Sequence, residues 1–286
     1  SAGDCLYATT LAHQLKVDHP GCHLTWAIGS PYRTILDGNP HVDEIWEIPL
    51  GGMEEDVAIW EQFAREAHER KRRGDFDEVY LTQIAPGNLH NFDGSIRSSI
   101  FRAYPRPITV PIAPVLRLSS VEIENVHRFV EVHTLPKRKH VILFECSPKS
   151  GQSCVTLDFA LTVAQHLIAS VPELCVILSS DIRFPSTDER IIDGSTLSLR
   201  ENAELTKFCS LLVGCSSGIS WICTSECAKP LPMLQLLKAD AFWFASMAHD
   251  YRLWGLPTDM LIEMTAYDLH KVVRCIATII GMDFNL

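Results

Sequence analysis

Four short apolar runs, residues 141–146 (VILFEC), 174–179 (LCVILS), 211–214 (LLVG) and 233–237 (MLQLL), carry no regular polar alternation and are separated by segments with helical spacing. A strand that is apolar at nearly every position has both faces covered, which is the condition of a parallel sheet between helices. The chain is therefore read as α/β. Strands are also expected at 23–29, 44–50, 78–84, 196–199 and 261–264. Helices are expected at 5–17, 32–36, 54–73, 95–104, 120–133, 157–170, 187–192, 202–209, 219–228 and 267–280. Residues 108–112 read as extended between prolines, and 86–93 as a polar loop.

Length and punctuation suggest two such units. A chain of 286 residues is long for one average sheet, and Pro136-Lys-Arg-Lys139 is the one convincing linker. We expect a first Rossmann-like domain over 1–137 and a second over 138–286, both doubly wound and facing a cleft. The last helix is expected to pack back across the first domain. Ser1-Ala-Gly-Asp4 reads as the loop that follows a strand. The first domain's central strand is thus expected to be lacking, with a gap beside 23–29.

Charge narrows the function. The formal charge of −10 disfavours nonspecific nucleic-acid binding, which needs a basic footprint. The basic run at 65–73 (REAHERKRR) alternates with acids and reads as a solvated helix face. No apolar run approaches a membrane span, and no signal peptide is evident, so a cytoplasmic location is expected. The ten cysteines fall mostly inside apolar patterns and behave as small hydrophobes rather than a disulfide framework. Cys223 and Cys227 lie four apart, but no CxxC pair supports a zinc site, and no metal is expected.

The segment 213–228 (VGCSSGISWICTSECA) carries the chemistry. A strand entering a helix through serines and glycine offers backbone N–H groups and small hydroxyls to a phosphate, and serine-capped helix starts look the same. The loop 147–153 follows another strand, and Ser147, Lys149, Ser150, Gly151 and Ser153 suit a phosphate or form a polar turn. It is not a Walker A loop, since no GK[ST] ends it. Ser180 closes the next strand, and Asp188 or Glu189 could hold a ribose hydroxyl. Glu201 opens a further helix at Arg200-Glu-Asn202. Asp4 stands at a helix start after Gly3, where it is either a cap or a general base.

Residues 1–29 (SAGDCLYATTLAHQLKVDHPGCHLTWAIG), then 39–49 (NPHVDEIWEIP), resemble the opening of glycosyltransferase family 9, known for ADP-heptose:lipopolysaccharide heptosyltransferases. Residues 197–230 (LSLRENAELTKFCSLLVGCSSGISWICTSECAKP) resemble that family's second domain. The segment 240–257 matches nothing recognisable. The resemblance implies a GT-B fold and metal-free, inverting sugar transfer, with a nucleotide sugar as substrate and no cofactor. It also implies a saccharide or glycolipid acceptor, in the manner of lipopolysaccharide synthesis, and allows peripheral contact with the inner membrane surface. The family's catalytic aspartate falls on Asp4, its diphosphate turn on Ser216, Ser217, Gly218 and Ile219, and its phosphate loop on 147–152, including Gln152. Three positions depart from the family pattern: Ser216 stands for an aspartate, Trp221 for a histidine and Gln152 for a lysine. A sugar-nucleotide epimerase or hydrolase, or a non-catalytic nucleotide-sugar-binding protein, is the alternative.

Overall fold

The computed structural model describes the chain except residues 51–52, 84–87, 93–95, 187 and 283–286. The second half forms a six-stranded sheet from β3 (His140–Glu145), β4 (Leu174–Ser179), β5 (Ile191–Asp193), β6 (Leu211–Gly214), β7 (Met233–Leu236) and β8 (Leu261–Met264). Every pairing is parallel, in the order β5-β4-β3-β6-β7-β8. The chain thus winds outward from β3 in one direction, then returns to start again at β6 on its other side. The carboxyl ends of β3 and β6 therefore splay loops apart at a switch point, where open α/β sheets bind ligands.

The apolar strands are sandwiched as expected. On one face lie α5 (Leu157–Ser170) and α10 (Leu269–Ile279), which pack on each other and cover Ile142, Phe144, Val176 and Leu234. The last helix therefore covers its own sheet rather than crossing to the first half, because Val272, Val273 and Ile276 meet that apolar face. Side-chain caps from Thr156 and Asp268 start these two helices.

In the first half, β1 (Thr25–Gly29) pairs in parallel with β2 (Glu44–Ile48), and α1 (Ala2–Asp18) packs beside them. Among the described residues the other edge of β1 has no strand partner. It lines an apolar groove of about 420 Å³ with α1, residues 78–83 and α2 (Met53–Arg73). The strand expected at 78–84 forms no ladder over its described residues.

Helix α1 begins earlier than its apolar spacing suggests and is buried on most sides. Its buried polar side chains serve the irregular chain that follows α3 (Ile96–Arg102). Gln14 Oε1 accepts from the backbone N–H groups of Thr109 and Val110, and Thr9 Oγ1 accepts from that of Val115. The extended segment expected at 108–112 thus gets its hydrogen bonds from a helix instead of a sheet. The polar loop expected at 86–93 is described only over 88–92, where Leu89–Asn91 is a 3-10 turn.

Four second-half expectations differ. Residues 188–192 do not form a helix, and position 187 lies outside the described residues. There the Asp188 carboxylate binds the N–H and guanidinium of Arg190, a turn that delivers Ile191 into β5. The strand expected at 196–199 is a turn, since the ladder ends where Gly194 N–H donates to Leu178 O. The helix expected at 219–228 shrinks to α7 (Gly218–Ile222); beyond it the Thr224 hydroxyl donates to Trp221 O, competing with continued helix. The segment expected at 202–209 is α6 (Glu201–Leu205) followed by a 3-10 turn.

The halves are joined by packing. Helix α1 lies on α7, and α4 (Ser120–Val132) lies on α6. Beside that contact the nearly buried Arg200 guanidinium binds the Glu122 carboxylate at 2.6 Å, Thr34 O at 2.8 Å and Asp37 O at 3.2 Å. All ten cysteines are free thiols, and burial pushes Cys146 up to about 12, as expected of packing groups.

Candidate functional site

The β6–α7 turn is shaped by close approach. A Cβ on Gly214 would collide with Ser220 Oγ and the Gln235 amide, so a larger residue would displace both side chains. Ser216 adopts φ 52°, a left-handed conformation that non-glycine residues seldom take. Its N–H donates to Gln235 Oε1 at 2.6 Å and its hydroxyl to Ala245 O at 2.5 Å. Ser216 is wholly buried and committed to the protein itself.

Sequence reasoning missed Glu145, which ends β3 at the switch point. Its carboxylate accepts from Cys215 N–H at 3.0 Å, from Ser220 Oγ at 2.9 Å and from Ser217 Oγ. A carboxylate of the chain thus occupies part of the anion-binding capacity of the turn. Burial raises the Glu145 carboxyl to about 7, against the lowering by these donors. The signal was visible as a lone acid ending an apolar strand, a position where an unpaired carboxyl is rarely found.

The sign of the resulting pH dependence follows from linkage. A carboxyl at 4.5 when unfolded and about 7 when folded binds more protons in the native state between those values. Its contribution to stability is present below about pH 4.5 and is lost as pH rises to about 7. The Tm of the protein should carry a falling component over that window, and Glu145→Gln should remove it. Parallel Tm–pH curves for the two proteins would count against the assignment.

Arg97 on α3 was also missed. It reaches Asp4 Oδ1 at 3.3 Å, Asp250 Oδ2 at 4.0 Å, Ser216 O at 2.9 Å and Phe244 O at 3.4 Å, while lying over the Trp221 ring. Only contacts across the fold define it, so no local pattern announces it. Asp4 lies in the first turn of α1, partly exposed, and Ser1 Oγ donates to it at 2.6 Å. Gly3 lets α1 seat on α7: a Cβ there would come 2.8 Å from Trp221 Cδ1. Trp221, in place of the family's histidine, is therefore a buried wedge between the halves.

The other expected residues fall into two groups. Ser147, Lys149, Ser150, Gly151, Ser180, Ser217, Gly218 and Ile219 are partly or fully exposed, on loops or the first turn of α7 at the carboxyl edge of the sheet. Ser147 and Ser180 share a hydrogen bond of 3.1 Å, and Lys149 pairs with Asp181 at 2.9 Å. Gln152 is buried with both amide atoms unpartnered, an arrangement that costs about 1–3 kcal/mol per group unless a ligand or water supplies the bond. Glu201 and Glu189 serve the chain: Glu201 accepts from Ser198 N–H and Asn125, and the largely exposed Glu189 pairs with Arg138 at 2.9 Å. Among the described residues no group of three His, Cys, Asp or Glu could hold a metal, and no helix is long and apolar enough to cross a membrane.

No family model and no curated protein matches this sequence. Solved structures do match. A glycosyl transferase family 9 protein from Veillonella parvula aligns over 98% of this chain and 94% of its own, with a TM-score of 0.65 at 12% identity. E. coli ADP-heptose LPS heptosyltransferase II aligns over 98% of this chain and 96% of its own, with a TM-score of 0.57 at 13% identity. At such identities the likeness establishes architecture. The chain has the GT-B fold of the family 9 glycosyltransferases.

Proposed function

We propose that the protein is a metal-independent, inverting glycosyltransferase that moves a sugar from a nucleoside-diphosphate donor to a saccharide acceptor. The observation that carries this reading is that Asp4 and the turn at Ser216, more than 200 residues apart, meet through one guanidinium, Arg97. An ionised carboxylate thus stands beside the switch point of the second sheet. In this reading Asp4 accepts the proton of an acceptor hydroxyl as that oxygen attacks the anomeric carbon. Attack opposite the leaving diphosphate inverts the centre. Arg97 favours the charged form of Asp4 before the proton arrives.

The leaving diphosphate would take the exposed rim: Ser217, Gly218 and Ile219 from the turn, Ser147, Lys149, Ser150 and Gly151 from the loop after β3, and Ser180 beside it. The unpartnered Gln152 amide supports a ligand at this loop, and Lys149 supplies the cation that Gln152 lacks. We assign the two folding units to 1–137, on the acceptor side, and 138–286, on the donor side.

The reading is tested by a screen of nucleotide sugars. A donor at about 100 times its Kd should stabilise the protein by about 2.7 kcal/mol, with the same nucleotide released on addition of a saccharide acceptor. No stabilisation by any nucleoside diphosphate or nucleotide sugar would remove the donor site. Glu145, at the switch point and hydrogen-bonded to Ser217 of the exposed rim, supports a second reading, a sugar-nucleotide hydrolase or epimerase, in which that carboxyl activates water or exchanges a proton. That reading expects donor breakdown to survive Asp4→Asn and to fail in Glu145→Gln.

A further inference from the structure

The segment after β7 folds into α8 (Phe242–Ala245) and α9 (Met247–Leu253), and neither is used by the reaction described above. Ala241 and Ala245 are buried in a small cluster with Leu237, on which Phe244 packs. Phe242 and Trp243 are turned outward, 42% and 54% exposed, and Phe92 beside them is 41% exposed. Trp243 meets Phe92 edge to face at 5.8 Å and Phe244 at 5.0 Å. Single exposed aromatics are ordinary, but Trp243 and Phe92 in ring contact, with Phe242 exposed one residue along the chain, mark a contact surface.

Its position is set by the same guanidinium. Phe244 O accepts from Arg97, and Arg97 pairs with Asp4, so the Trp243 indole lies within about 20 Å of the Asp4 carboxylate. That is the span of a few sugar rings extending outward from a hydroxyl at Asp4. We propose that Trp243, with Phe92 and Phe242, forms a stacking platform for a saccharide ring of the acceptor, one or more units from the ring that reacts. The proposal rests on the glycosyl-transfer reading. A sugar ring presents C–H groups on its faces and hydroxyls at its edge, so an exposed indole binds it while its hydroxyls stay hydrated.

Charge favours this occupant over a bilayer. The chain carries −10, and the exposed Asp240 lies two residues from Phe242, so an anionic lipid surface is repelled while a polyhydroxylated ring is not.

The experiment is calorimetric titration of the full chain with a neutral heptose oligosaccharide, alongside sedimentation with phosphatidylethanolamine–phosphatidylglycerol vesicles. Trp243→Ala should weaken oligosaccharide binding at least tenfold, and Trp243→Phe should restore most of it. The melting temperatures of both variants should stay close to that of the parent. Equal affinity in parent and Trp243→Ala, no binding by the parent, or vesicle binding that depends on Trp243 would each overturn the platform. Turnover is measured separately on the unmodified chain. Binding through Trp243 without turnover leaves the platform standing and rejects transfer. Turnover with Trp243-independent binding does the reverse.

Discussion

Replacing Asp4 by asparagine is expected to lower turnover by roughly 10²–10⁴-fold while nucleotide affinity is retained. The loss corresponds to about 3–5 kcal/mol of activation free energy. Asparagine keeps the shape of the side chain and can still accept from Ser1, but it cannot take a proton from an acceptor hydroxyl. Folding should change little. Asp4 sits within the first turn of α1 rather than at its cap, and it is partly exposed, so its ion pair contributes on the order of 1 kcal/mol. Arg97 keeps its bonds to Ser216 and Phe244 in the variant. The donor rim belongs to the other half of the chain and is untouched. Initial rates at saturating donor, with donor affinity measured by calorimetry, decide the matter. A rate within about threefold of the parent would assign Asp4 to the helix start and leave the base elsewhere.

What the sequence conveyed, and what it withheld, divides along a physical line. Strands β3, β4, β6 and β7 were legible because continuous apolar runs bounded by turns leave a buried parallel sheet as the natural reading. Edge strand β5 was not, because its three residues are fixed by the Asp188–Arg190 turn and by pairing with β4, and neither shows as periodicity. The turn at Ser216 was legible as a strand running into small residues and a helix. Its accessibility was not: whether Ser216 faces a ligand or the protein depends on Ala245, Gln235 and Arg97, all distant in sequence. Glu145 left a local trace and Arg97 none. Trp221 could be noted as a departure, but its role in packing α1 against α7 needed the neighbouring Gly3 in space. Local chemistry was therefore readable where backbone pattern governs it, and hidden where long-range polar bonds do.

Replacing Arg97 by methionine should cost about 3–5 kcal/mol of stability, the largest such loss expected from one side chain at this site. The guanidinium is 6% exposed and Asp250 is wholly buried, so methionine removes one of the cations facing a buried carboxylate that keeps the Ser98 hydroxyl and the charge of Arg102. Ser216 O and Phe244 O each lose a donor at the same time, and the face of Trp221 loses the charge above it. Burial of the methionine side chain offsets part of this, since its volume fills most of the space. The penalty comes from the two carbonyls left without their donor and from the weaker compensation of the buried Asp250 charge, which sets up a discriminating test. Asp250→Asn made in the Arg97→Met background should recover stability, whereas the same change in the parent should lower it. A coupling of about 1–3 kcal/mol in that double-mutant cycle, read from urea unfolding, is expected for groups sharing one buried network. Additive losses would mean that Arg97 acts by packing alone. Arg97→Lys should fall between, keeping the charge while lacking the planar fork that reaches Ser216 and Phe244 together.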